Sequence, residues 1–192
     1  MPGSDVADAT LSEAIALHQR VREAGLETTT AAANAIIAAL RQGGKVLVFG
    51  NGGSAADAAH AAAELVGRYR RERRGFAAVA LTADPSVLTS IANDYGFDRV
   101  FARQIEALGR PGDVAFAITT SGESANVIAA LEAARAQKLT TIALTGRDGR
   151  AAGRLADIHV NVPSESTPRI QEVHRTLLHV ICDLVETELT ER

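Results

Sequence analysis

His60 and Glu64 stand four apart within Ser54 to Val66, a stretch without Gly or Pro and dominated by Ala, the best helix former. On a helix the two project from one face, one turn apart. An imidazole and a carboxylate so placed are either two metal ligands or a base and the group that orients it. The same spacing also describes an exposed polar pair on an ordinary surface helix. A second helical stretch, from about Thr167 to Glu188, carries Gln171, His174 and His179. Gln171 and His179 are eight apart, within about 80° of each other around a helix. By geometry His174 is a rival, and each histidine also reads as a hydrogen-bonded packing residue. His60, Glu64, Gln171 and His179 together make an N/O donor set suited to zinc, but spacing alone does not show that the two helices meet.

These residues need elements to position them. Lys45 to Phe49 is a short Val-rich run flanked by Gly43-Gly44 and by Gly50-Asn51-Gly52-Gly53, the pattern of a parallel strand buried on both faces. Ser54 then reads as the N-cap of the His60 helix, with Asp57 favouring its positive end. Glycines leading into a helix start let a ligand approach backbone N–H groups. GNGGS satisfies neither the P-loop nor the dinucleotide fingerprint, so ATP and NAD are not expected. The plan repeats at Asp113 to Ala130, with a strand at Val114 to Ile118, a loop containing Thr119, Thr120, Ser121, Gly122 and Ser124, and a helix from about Ser124. With no Lys nearby, this is how hydroxyls, amides and a helix dipole would hold a phosphomonoester. Plain helix capping by Ser and Thr is the competing explanation.

Further strands are expected at Ala77 to Leu81, Thr140 to Leu144 and Ile158 to Val162. Strands alternating with helices imply right-handed crossovers and a doubly wound parallel sheet of five strands, covered on both faces. Pro85 marks a helix start, and Asn93, Asp94 and Gly96 punctuate a turn. Residues 5 to 42 show helical spacing, with Leu11, Ala14, Leu17 and Val21 on one stripe, then Ala35, Ile36, Ala39 and Leu40 after a break near Gly25. These two helices are expected to pack on another subunit or across one end of the sheet, with His18 as a packing or interface residue. Arg68 to Arg74, RYRRERR, reads as a solvated segment, with a minor alternative in which one arginine helps neutralise a phosphate.

At 192 residues and 46% hydrophobic, the chain suits a single domain, residues 1–192, with 1–42 given to oligomer packing and 43–192 to the sheet core and last helix. Twenty basic against 23 acidic residues give a net charge of −3 and no nucleic-acid footprint. Aromatic content of 4% with no Trp argues against stacking platforms for single strands. No apolar run approaches the roughly 20 residues of a membrane span, and MPGSDVADAT has no signal-peptide pattern, so a cytoplasmic protein is expected. The lone Cys182 sits among Val180, Ile181 and Leu184 and reads as a buried thiol in a reducing compartment.

The segments GNGGSAADAAHAAAEL, IANDYGFDRVFARQI, TTSGESANV and TPRIQEVHRTLLHVICDLVE occur in the order and spacing of the phosphoheptose isomerases of the sugar-isomerase (SIS) domain group, which the chain closely resembles from about residue 10 onward. The resemblance implies a flavodoxin-like three-layer αβα sandwich and a cytoplasmic homotetramer with sites at subunit interfaces. It also implies conversion of sedoheptulose 7-phosphate to D-glycero-D-manno-heptose 7-phosphate for lipopolysaccharide or capsule. By matching motifs, it implies one zinc per subunit on His60, Glu64, Gln171 and His179, with Glu64 as general base and His179 as general acid. The substrate contacts it implies are Asn51, Gly52, Gly53, Ser54, Glu64, Asn93, Asp94, Thr119, Thr120, Ser121, Ser124 and Gln171. Glu123 departs from the family pattern, where a neutral residue is expected, and a carboxylate beside a phosphate must point away or be offset. Two other readings are an isomerase for another phosphosugar, such as arabinose 5-phosphate, and a non-catalytic SIS regulator that binds the replication initiator DnaA. The His-x3-Glu and Gln-x7-His pairs favour the enzyme.

Overall fold

The computed structural model describes residues 2–190. Five parallel strands, β1 Val46–Gly50, β2 Ala78–Ala80, β3 Val114–Thr119, β4 Thr140–Gly146 and β5 Ile158–Val162, form one sheet in the order β2-β1-β3-β4-β5. The register pairs Val46 with Val114 and Val114 with Thr140. All residues of β1 and β3 are buried, as expected for strands covered on both faces.

Alternation along β1 divides the core into two. Val46 and Val48 face helices α1 Pro2–Glu23, α2 Glu27–Arg41, α3 Gly53–Val66 and α8 Thr167–Thr190. Leu47 and Phe49 face α4 Pro85–Tyr95, α5 Ala102–Leu108, α6 Ala125–Ala136 and α7 Arg150–Leu155. This is the expected three-layer αβα arrangement. The first two helices differ from each other in what they bury. α2 lies in the layer on the sheet face, with Ile36, Ile37 and Leu40 buried, rather than across an end of the sheet. α1 buries Leu17 and Val21 and leaves Val6, Leu11 and Ile15 largely exposed.

Three local expectations need correction. The helix after β1 begins at Gly53 with Gly52 as N-cap and no side-chain capping bond, so Ser54 is a buried first-turn residue instead of the cap. Asp57 does not serve the helix dipole at the surface; it is buried and ion-paired with Arg175 of α8, Oδ1 to Nη2 2.6 Å. Asn93 and Asp94 lie in the last turn of α4, which stops at Gly96, whose φ of 89° is left-handed backbone suited to glycine.

RYRRERR is also more than a solvated loop. Glu186 of α8, 1% exposed, accepts hydrogen bonds from the backbone N–H groups of Tyr69, Arg70 and Arg71 at 2.5–2.8 Å and from the Arg73 guanidinium at 3.1 Å. Burial alone would raise the Glu186 pKa, but the three amides and Arg73 outweigh it and hold it below the ordinary value. The Arg73 guanidinium in turn donates to the carbonyls of Glu64, Leu65 and Gly67, capping the C-terminal end of α3. The guanidinium also lies over the Phe76 ring, with its carbon 4.0 Å from the ring centroid.

Replacing Glu186 with Gln removes the charge that answers Arg73 in a buried site. We expect a loss of about 3–5 kcal/mol of unfolding free energy in urea; a loss below about 1 kcal/mol would show that this strap is not held by the carboxylate.

His174 supplies a pH-dependent term. It is fully buried, its Nε2 donates to the Thr145 carbonyl at 3.0 Å, and burial pushes its pKa down to about 4 despite that bond and the nearby Asp57. Above the ordinary pKa of about 6.5 the ring is neutral in folded and unfolded chains alike. Below it the unfolded chain takes up a proton that the folded chain refuses, so stability falls as pH falls. Linkage gives a loss of about 2 kcal/mol between about pH 7.5 and about pH 5, measurable by urea unfolding at each pH. A His174→Gln variant with the same slope would contradict this assignment.

Candidate active site

The open ends of β1 and β3 meet where the strand order reverses, the position at which doubly wound sheets bind ligands. Two loops leave these ends. Asn51, in the loop after β1, exchanges two amide hydrogen bonds with Asn126 in the first turn of α6, at 2.8 and 2.9 Å. Asn126 was not singled out in the sequence, although an Asn just inside a helix that follows a Ser/Thr loop is a usable signal. The pair fixes the glycine loop and the hydroxyl loop to each other.

The hydroxyl loop is organised by its own side chains. Thr119 Oγ1 accepts from the Gly122 amide and Ser121 Oγ from the Glu123 amide, both at 3.2 Å. Ser124 is the N-cap of α6 and makes no side-chain capping bond, so capping does not account for its hydroxyl. Thr120, Ser121 and Ser124 are half-buried at the edge of the loop. Gly122 has φ of 69°, and a Cβ there would fall 2.3 Å from the Gly149 carbonyl oxygen. Only glycine allows the hydroxyl loop to lie this close to the turn after β4.

Helices α3 and α8 run side by side in one direction. Gln171 lies level with Gly53, Arg175 with Asp57 and His179 with His60. A Cβ on Gly53 would sit 2.3 Å from Gln171 Nε2, so the amide rests on the glycine loop. Gly52 and Gly53 are exposed there. One turn on come the Asp57–Arg175 pair, and beyond it His60 Nε2 lies 2.8 Å from His179 Nε2 and 3.4 Å from Glu64 Oε1. The side chains of His60 and Glu64 are 31% and 21% exposed, open enough for a ligand to reach. Tyr69, held by the Glu186 strap, stacks its ring 5.5 Å from that of His179; no spacing rule pointed to it.

The ligand atoms of His60, Glu64 and His179 all lie within 4.8 Å of one another. Two imidazole nitrogens and a carboxylate fit zinc chemically. Nitrogens on one tetrahedral zinc would stand about 3.3 Å apart, so the two rings need only separate by about half an ångström. Gln171 stands about 12 Å up α8 from His179, with its amide against Gly53 and the Asp57–Arg175 pair between it and the three donors, so it sits with the glycine loop and apart from the His–Glu–His group. The rival His174 is excluded by its burial against β4. Cys182 is buried and its thiol is pushed up to about 12, chiefly by desolvation and then by Glu64 and Glu186, which makes it a packing residue. Asn93 and Asp94 lie exposed at the end of α4, bonded to each other at 2.8 Å, apart from the group on α3 and α8. His18, on α1, bonds Thr176 of α8 at 2.9 Å and is a packing residue.

Residues 11–146 match the SIS domain family. The chain is 51% identical over 181 residues to a phosphoheptose isomerase of Roseiflexus sp. (strain RS-1), covering 94% of this chain and 92% of that one. It is 58% identical over 160 residues to the phosphoheptose isomerase of Aquifex aeolicus, 83% and 84% of the two chains. Its fold superimposes on a solved phosphoheptose isomerase from Neisseria gonorrhoeae with a TM-score of 0.92 at 47% identity, covering 97% of this chain and all of that one. An all-parallel five-stranded sheet, a polar switch point and a His–Glu–His group coincide with this similarity across nearly the whole length, and the chain belongs to the phosphoheptose isomerase family of SIS-domain proteins.

Proposed function

We propose that the chain interconverts sedoheptulose 7-phosphate and D-glycero-D-manno-heptose 7-phosphate in the cytoplasm, for lipopolysaccharide or capsule heptose, as a homotetramer with one zinc per subunit. The observation that carries this reading is the convergence of Glu64 with His60 and His179 from two helices, one of which, α3, leaves the glycine loop at the switch point. A regulator without catalysis has no need of that donor group.

Moving a carbonyl between adjacent carbons requires a base that reaches both carbons and a donor for the oxygens. Glu64 takes a proton from C1 of the open-chain ketose, the C1–C2 double bond of the enediol forms, and the C2 oxygen receives a proton from His179. Glu64 then returns its proton to C2 while the O1 proton leaves to His179, which yields the C1 aldehyde. A carboxylate has two oxygens with separate lone pairs, so Glu64 can face the donor group with one and the sugar with the other. Zinc held by His60, Glu64 and His179 would polarise the sugar carbonyl, while Gln171, two turns away on α8, would meet the sugar at the glycine loop. The phosphate is received by Thr119, Thr120, Ser121 and Ser124, and the sugar hydroxyls by Asn51, Gly52, Gly53, Ser54 and Gln171.

Two surfaces support assembly. Val6, Leu11 and Ile15 form an apolar stripe on α1 that a second chain would cover, and Asn93 and Asp94 are exposed where a neighbouring subunit's sugar could meet them. No described helix is long and apolar enough to cross a membrane.

A coupled assay on sedoheptulose 7-phosphate tests the reading. Glu64→Gln and His179→Ala should each lose roughly 10²–10⁴-fold in kcat with unchanged melting temperature, and a chelator should lower the wild-type rate until zinc is restored. Either variant turning over at the wild-type rate would overturn the assigned roles.

A further inference from the structure

We propose that Arg150 sets the affinity of the hydroxyl loop for phosphate by holding the Glu123 carboxylate off it; this rests on the reading of that loop as the phosphate site. Glu123 lies between Gly122 and Ser124, and its own backbone amide is bonded to Ser121 Oγ. An ionised carboxylate at that position lies well within a Debye length, about 8–10 Å, of an anion on the loop and repels it. Nothing else on the loop carries a charge of either sign.

The turn after β4 supplies the answer. Arg150, at the start of α7, places Nη1 3.1 Å from Glu123 Oε1, while its Nε lies 3.0 Å from Asp148 Oδ1. Its position is fixed by backbone as well as by charge. The Ala152 amide donates to the Gly122 carbonyl at 3.0 Å, and a Cβ at Gly122 would lie 3.0 Å from Arg150 Cβ. Arg150 itself adopts a left-handed φ of 47°, unusual for a residue with a side chain. The loop that receives phosphate and the turn that carries Arg150 therefore move as one piece, and the guanidinium has a fixed station from which to draw Glu123 outward. Both side chains are about half exposed, so the pair adds little to folding stability. Its consequence lies in the charge that an incoming phosphate meets. Glu123, which departs from the neutral residue expected at this position, is compatible with phosphate binding because Arg150 accompanies it.

The experiment uses the full chain in four variants, Arg150→Gln, Glu123→Gln, the double variant and Ser121→Ala. Each is measured for KM, kcat and the competitive inhibition constant of inorganic phosphate. Arg150→Gln should raise both KM and the phosphate constant by roughly three- to tenfold with kcat within about twofold of wild type, an effect of the size one uncompensated charge exerts near the surface. The increase should shrink at high ionic strength. Adding Glu123→Gln to Arg150→Gln should restore both constants to within about twofold of wild type, a rescue that a merely structural role for Arg150 would not show. A double variant as weak as Arg150→Gln would overturn the proposal, because Arg150 would then act on the phosphate by itself. Unchanged constants in Arg150→Gln, with Ser121→Ala impaired, would overturn the proposal and leave the phosphate site standing. Unchanged constants in Ser121→Ala would overturn both.

Discussion

The parallel register of α3 and α8 is the constraint on which the site depends. Two buried carboxylates set it, one on each side of the histidines. Asp57 on α3 holds Arg175 on α8, and Glu186 on α8 holds Arg73, whose guanidinium closes the last carbonyls of α3. A helix rises about 1.5 Å per residue, so a slip of a single residue would change the His60–His179 separation by more than the adjustment zinc requires. Breaking either ion pair leaves a buried charge without its partner, which is far costlier than the pair is stabilising. The register is therefore protected less by attraction than by the penalty for leaving it.

The second constraint lies at the switch point. β1 and β3 are neighbours in the sheet, and their loops are joined by the reciprocal amide pair of Asn51 and Asn126. On the proposed reading, sugar and phosphate would be held by these two loops and the reacting carbons would lie toward the helix pair. Binding and chemistry would then be divided between loops at the carboxyl ends of two central strands and the helices α3 and α8, an arrangement that would preserve the near-attack geometry proton transfer needs.

Much of this was legible in the chain. β5 falls on Ile158–Val162 as its apolar run and the closing Pro163 indicate, and α8 begins at Thr167 where the Ser/Thr and Pro signals place it. The periodicity of His60 with Glu64 correctly put both on one face. What could not be read was pairing across the fold. Glu186 looks like one more charge on a terminal helix, and Arg73 like one of five arginines in a polar run; only together do they explain each other's burial. Ser54 resembles a cap because its type favours that role, yet the backbone turn at Gly52 starts the helix before it. Asn93 and Asp94 are turn-forming types that the α4 helix carries to its final turn before Gly96 ends it. Local propensity yields to tertiary placement in each case.

Residues from two separate helices converge on one group suited to hold a metal and move a proton. Titration of the metal-free protein with cobalt(II), followed by visible absorption, tests it most directly. We expect one equivalent per chain to give the intense bands of a four-coordinate ion, with the signal lost when either His60 or His179 is replaced by Ala. A signal that survives both replacements, or a metal-free protein that keeps its full isomerase rate, would show that the two helices do not build such a group.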